Sequence, residues 1–267
     1  MKSGRWGSVS ELVASIPDGA SLATGGFMLG RAPMALVLEL IAQGRKNLQL
    51  ISLPNPLPAE FLVAGGCLSR VELPFGALNL EGRVRPMPCL KRAIEQGSIV
   101  WREHDGYRVV QRLRAASMGL PFIPAPDADV SELADAEPLQ VVVDPFTGKR
   151  VPVEPAVYPD VALIHARAAD ERGNLYIEDP TTDLLVAGAA RRVLATAEER
   201  VTRLPRVTIP GFQVERVALS RGGALPTGCV GLYPHDDAML ADYLSLAEAG
   251  REAEFLDSLL RRTRSAA

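Results

Sequence analysis

The sequence is poor in the side chains on which most enzymes rely. It has three histidines (His104, His165, His235), three cysteines (Cys67, Cys89, Cys229) and 5% aromatic residues. Three cysteines this far apart suit neither a disulfide framework nor a zinc knuckle, and each reads as a small buried hydrophobe. The histidines lack ligand spacing and no HExxH pair is present, so no metal site is expected. A basic excess is also missing: the net charge of -3 argues against nucleic acid as a partner. No apolar run approaches the ~20 residues of a membrane span, and the first residues lack the apolar stretch of a secretory signal. A cytoplasmic location without membrane contact is the expectation. With 47% apolar and 23% charged residues, the chain has globular composition.

What the sequence has in quantity is glycine (23) and proline (21), and many of them punctuate short segments of alternating type. A strand over 21–24 runs into Gly25-Gly26, and a helix follows with Pro33 in its first turn and Met34, Leu36, Val37, Leu40 and Ile41 as its apolar stripe. Strands are predicted over 48–53, 70–75 and 99–102, with helices over 57–64 and 89–96. Asp105 caps a helix reaching Met118. From residue 120 the regular alternation gives way to an irregular segment to about 158, with a hairpin around Asp144-Pro145-Phe146-Thr147-Gly148. Alternation resumes with a strand over 160–166, a helix over 183–192, a strand over 193–197 and two closing helices. Strands alternating with helices imply an α/β fold: a Rossmann-like, open, mainly parallel sheet with helices on both faces, in one domain across 1–267.

In such a sheet, ligands sit beyond the carboxyl ends of the strands, which directs attention to residues 25–31, 54–58, 76–88 and the turn near Glu198. Gly25-Gly26-Phe27-Met28-Leu29-Gly30 stands between a strand and a helix, where a phosphate or oxyanion loop would be, or a turn needing positive φ. Phe27 takes the place of the second glycine of a dinucleotide fingerprint, so that reading fails. Ala115-Ala116-Ser117-Met118-Gly119 approaches a nucleophile elbow but ends a helix instead. His165 interrupts an apolar strand and reads as a core histidine or a group near the site. Glu198-Glu199 read as the first turn of a helix, or as one carboxylate turned into a cleft. Pro234-His235-Asp236-Asp237 reads as a helix cap.

The ordered set of motifs is more specific than any one of them. Thr24-Gly25-Gly26-Phe27 preceded by Asp18-Gly19, then Gly30 and Pro33, resembles the signature of the A-type chain of class I CoA-transferases. Asp144-Pro145-Phe146-Thr147-Gly148, Asp160-Val161-Ala162 through His165-Ala166, and Asp170 with Gly173-Asn174 look like the family's second block. The resemblance implies that family's fold and an obligate B-type partner chain, in an A2B2 heterotetramer acting on an acyl-CoA. It places the attacking glutamate of true transferases in the B-type chain, so no catalytic side chain is expected in this one. Its share would be a substrate pocket, with Gly25 and Gly26 bringing amides near a thioester oxygen, Phe27, Met28, Phe75 and Gly76 as an apolar wall, and Arg31 and Asn55 as polar groups. Over nearly the full length, including Asn55-Pro56-Leu57-Pro58 and Gly223-Ala224-Leu225-Pro226-Thr227-Gly228-Cys229, the chain looks most like the family's decarboxylase branch. That branch acts on 3-methylglutaconyl-CoA without biotin, thiamine or metal. CoA-transferase, ring-opening hydrolase and non-catalytic scaffold are the alternatives.

Overall fold

A computed structural model describes residues 4–80, 82–102, 104–125 and 139–265. In chain order the elements begin with β1 (Trp6–Gly7), α1 (Val9–Ala14), β2 (Ser21–Thr24), α2 (Met34–Ala42), β3 (Leu48–Ser52), α3 (Pro56–Ala64) and β4 (Leu68–Glu72). A hairpin of β5 (Ala77–Leu80) and β6 (Arg83–Pro86) leads to α4 (Pro88–Glu95), β7 (Val100–Arg102) and α5 (Gly106–Ser117). Then come β8 (Phe122–Pro124), β9 (Gln140–Val143), β10 (Arg150–Pro155), β11 (Val161–Asp170) and β12 (Leu175–Tyr176). The chain closes with α6 (Asp183–Ala189), β13 (Arg192–Val201), β14 (Arg216–Leu219), α7 (Asp237–Glu248) and α8 (Glu252–Ser265).

The main sheet has the order β1-β14-β13-β11-β2-β3-β4-β7, with β12 paired to β11. Its main path is parallel throughout, and β12 alone runs antiparallel. From β2 the chain moves outward through β3, β4 and β7, then returns to place β11 on the other side of β2. The strand order therefore reverses between β2 and β11, which is where an open sheet of this type opens a crevice.

Alternation along each strand builds two cores. Leu22, Leu48, Leu50, Leu163 and Leu194 pack on one face against α1 to α4 and the closing helices, while Ala23, Ile51, Ala162, Ile164 and Ala195 pack on the other against α5 and α6. Helices thus cover both faces, as the segment pattern predicted. The expected irregular segment contains a separate three-stranded antiparallel sheet, β8-β10-β9, and its Asp144 turn is held by a Phe146 N–H donating to Asp144 Oδ1 (2.9 Å). The part of that segment over 126–138 lies outside the described residues.

Four sequence expectations need revision. The strand expected over 70–75 starts at Leu68 and stops at Glu72, before Pro74. The loop expected over 76–88 holds the β5–β6 hairpin, turned at Gly82 with φ +75°. The helix expected to reach 192 ends at Ala189. Most consequentially, β13 continues to Val201, so Glu198 and Glu199 extend a strand and do not begin a helix. Among the described residues, no helix is long and apolar enough to cross a membrane.

Candidate functional site

At the crevice, β2 ends opposite Leu163, the third residue of β11, so most of β11 runs on beyond it. The chain leaves β2 through residues 25–31, and two of its glycines are required by space. A Cβ on Gly25 would lie 2.3 Å from Asp183 Oδ1 and 2.8 Å from Ile164 Cδ1. Gly26 has φ +82°, and its Cβ would meet the carbonyl oxygens of Gly30 and Arg31 at 2.6 Å. The loop is closed by its own amides. Gly25 N–H donates to Leu163 O (3.0 Å), Gly26 N–H to Asp183 Oδ1 (3.1 Å), Phe27 N–H to Gly30 O (2.9 Å) and Met28 N–H to Pro54 O (2.6 Å). Gly30 N–H returns to Phe27 O (2.8 Å), and Arg31 N–H reaches Gly228 O (2.7 Å). The expectation that Gly25 and Gly26 present free amides to a ligand is therefore corrected: these donors already hold the loop in shape.

Arg31 is likewise used internally. It is 1% exposed. Its Nε donates to Asp179 Oδ1 (3.0 Å), Nη1 to Asp183 Oδ1 (2.8 Å) and His165 O (3.0 Å), and Nη2 to Asp183 Oδ2 (2.8 Å) and Asp179 O (3.1 Å). A guanidinium has five donors, and all five are engaged. Burial alone would favour loss of the proton, but Asp183 and Asp179 outweigh it and keep Arg31 charged. Arg31 thus acts as a buried clamp between the loop and the start of α6, and has no donor left for a substrate.

Asn55, at the start of α3, is fully buried and its Nδ2 donates to Gly25 O (2.8 Å). Its Oδ1 has no hydrogen-bond partner, so it keeps one acceptor beside the glycine loop. Phe27 and Phe75 are 45% and 39% exposed on the same edge of the sheet. Gly25, Gly26, Phe27, Met28, Arg31 and Asn55 form one contiguous group. Phe75 and Gly76 follow β4, two strands away, about 10 Å by ordinary strand spacing.

Beside the loop lies a cleft of about 580 Å³, walled by Leu29, Gly30, Cys229, Val230, Leu232 and Tyr233 among others. Gly228 joins the two walls, its N–H donating to Leu29 O (2.9 Å). Behind this wall Glu198 is buried and collects four donors. Gly222 N–H (2.7 Å), Gly223 N–H (3.1 Å), His165 Nε2 (2.8 Å) and the Tyr233 hydroxyl all converge on its carboxylate. An ionised carboxylate only accepts, so His165 carries its proton on Nε2 and its Nδ1 accepts from Thr196 Oγ1 (2.8 Å). Gly223 is held to its size by the same packing, since a Cβ there would sit 2.8 Å from His165 Cε1.

The electrostatics follow from this closed network. Burial alone would raise Glu198, but His165, Tyr233 and the Gly222 amide outweigh it and hold the carboxyl below its ordinary value. Burial keeps His165 neutral despite Glu198. Burial and the Glu198 charge push Cys229 up to about 11 and raise the Tyr233 phenol further. His165, Glu198 and Cys229 offer atoms within 4.8 Å of one another, the spacing of a metal site. In this network, however, the carboxylate is filled by hydrogen-bond donors and the imidazole atom facing it bears a proton.

Glu198 and His165 were visible in the sequence as ambiguous single residues. Asp183 and Tyr233 were not singled out: Asp183 lies 152 residues from Arg31, and no local pattern announces that pairing.

The chain matches the family model described as Coenzyme A transferase over residues 7–220. It is 33% identical over 257 residues to an uncharacterised protein of Archaeoglobus fulgidus, covering 92% of this chain and 57% of that one, so it spans little more than half of that relative. It is 27% identical over 256 residues to the A-type chain of glutaconate CoA-transferase from Acidaminococcus fermentans, covering 85% of this chain and 78% of the relative. Among solved structures, a chain from a variant of the decarboxylase AibA/AibB is 80% identical, with a TM-score of 0.95 and coverage of 98% of this chain and 100% of that one. A glycine loop at the strand-order reversal, in a sheet of this topology and with these relatives, places the chain in the coenzyme A transferase family.

Proposed function

We propose that this chain is the A-type half of a two-chain decarboxylase that converts 3-methylglutaconyl-CoA to 3,3-dimethylacrylyl-CoA and CO2. A B-type partner chain completes the site in an A2B2 heterotetramer in the cytoplasm, and no cofactor beyond the CoA ester takes part. The observation that carries this reading is the 80% identity, over 98% of this chain and all of the other, to a chain of a decarboxylase.

The chemistry suits the site. When the carbon–carbon bond to the carboxylate breaks, its electron pair moves through the double bond to the thioester oxygen, and a proton must then return to carbon. A wall of low charge disfavours the starting carboxylate relative to the delocalised product of CO2 loss. On this chain the cleft wall carries Cys229 and Tyr233, both held protonated near neutral pH. Groups with pKa values so far above working pH are poor proton donors for turnover, which leaves the returning proton to another group: His235 on the same wall, the B-type chain or solvent. Gly25, Gly26 and Arg31 shape the loop, and Asn55 keeps one acceptor beside it.

Transfer of CoA between acids is the second reading, favoured by the likeness to the glutaconate CoA-transferase chain. Mass spectrometry of the CoA esters separates the two. Co-purified with its B-type partner, the chain is expected to turn 3-methylglutaconyl-CoA into 3,3-dimethylacrylyl-CoA with no added acid. If ester exchange occurs only when acetate is supplied, and the acyl chain keeps its carboxylate, the transferase reading replaces this one.

A further inference from the structure

A second polar cavity lies at the carboxyl ends of β4 and β7, about 14 Å from β2 by three strand spacings. Its volume is about 310 Å³, and Arg102, His104, Arg108, Arg112, Gln140 and Glu154 are among its lining residues. Arg108 and Arg112 stand one turn apart on the same face of α5, and they are 4% and 8% exposed. Two like charges so placed repel unless each is countered. Arg108 Nε donates to Glu154 Oε1, and Arg112 Nη1 to Glu72 Oε2 (2.5 Å). Burial alone would raise Glu72, but His104 and Arg112 hold it down at about 2, so it is an anion at neutral pH. Three guanidinium groups line the cavity, and two described carboxylates meet them: Glu154 pairs with Arg108, and Glu72 with Arg112 and, at 3.6 Å, with Arg102, so these five groups leave a net positive charge.

The two buried arginines also have donors to spare. Arg108 Nη1 and Arg112 Nε are buried without a hydrogen-bond acceptor. Buried charged donors are rarely left so, because each has given up water and gained nothing in return. Guanidinium donors match the oxygens of a carboxylate, and the volume exceeds that of an inorganic ion.

We propose that this cavity is a carboxylate-binding site for a small organic acid, with Arg108 as its principal donor. It stands apart from the decarboxylation reading, because binding here needs no turnover. The carboxylate can come from a free acid or from the acid end of an acyl-CoA. Glutarate and glutaryl-CoA serve as the two probes, titrated calorimetrically into the full chain at constant ionic strength. Arg108→Lys keeps the charge but loses the spare Nη1 donor, and it is expected to weaken glutarate binding at least tenfold. Should that variant fail to fold, Arg102→Gln at the half-exposed rim carries the test, with a several-fold weakening expected. Weakened binding of glutarate alone assigns the site to free acids, and weakened binding of both probes assigns it to the acid end of the thioester. Absence of glutarate binding, or equal binding by the wild-type chain and a folded variant, overturns the proposal.

Discussion

Arg31 was a natural choice for a ligand contact, being a cation in a post-strand loop, yet its donors are satisfied before any ligand arrives. Arg31→Met would leave Asp183 buried and uncompensated, and loss of one partner of such a pair costs about 3–5 kcal/mol. Equilibrium urea unfolding should show that loss, whereas a change under about 1 kcal/mol, the range of an exposed pair, would mean that Asp183 does not depend on Arg31. His165 and Glu198 make a pH prediction with a definite sign. Both have folded-state pKa values below their ordinary ones, so the unfolded chain binds protons that the folded chain refuses. Stability should fall as pH drops below about 6.5 through the His165 contribution, and further below about 4.5 through Glu198. His165→Gln should flatten the first part of that decline in urea midpoints measured from pH 7 to 5; an unchanged slope would remove His165 from the explanation. The sequence identified His165, Glu198, Arg31 and Asn55 as positions of interest, but the partners of their side chains lie 24 to 152 residues away, and only the fold decides whether a polar side chain faces a ligand or another residue.

Strands and helices with strong period were legible, because apolar alternation and glycine stops act locally. β2, α2, β3 and α5 stand within two residues of expectation, and Asp105 and Asp236 cap their helices, donors reaching them at 2.8 Å. The failures have a common cause in short pairing segments that tertiary contacts stabilise. β1 and β12 have two residues each, too few for a pattern, and each exists because a neighbouring strand supplies its partner. β13 misled for another reason: Ala197 ends its apolar run, but the backbone stays paired with β11 through Glu199, Arg200 and Val201, and four donors meet the buried Glu198 carboxylate. The glycine loop gives an element-level test. Gly26→Ala combines a positive φ with two backbone oxygens 2.6 Å from the new Cβ, so the loop must shift. A stability loss of about 1–3 kcal/mol is expected, with turnover of the assembled enzyme at least tenfold lower. Turnover unchanged in a folded assembly would give the loop a structural role only.

At the scale of the whole molecule, the chain is similar to the A-type chain of a two-chain enzyme. Its sheet reverses order at the glycine loop, the Glu198 network is closed by internal hydrogen bonds, and Cys229 and Tyr233 on its cleft wall stay protonated near pH 7. On the proposed reading, the scarcity of histidine, cysteine and aromatic residues has a simple sense: this chain would supply glycine turns and apolar walls, and the B-type chain the reacting group. CO2 release from 3-methylglutaconyl-CoA, measured for this chain alone, for its B-type partner alone and for the two together without an acceptor acid, tests this division most directly. Release by the mixture and by neither component alone is the predicted result, and decarboxylation by this chain alone would contradict it.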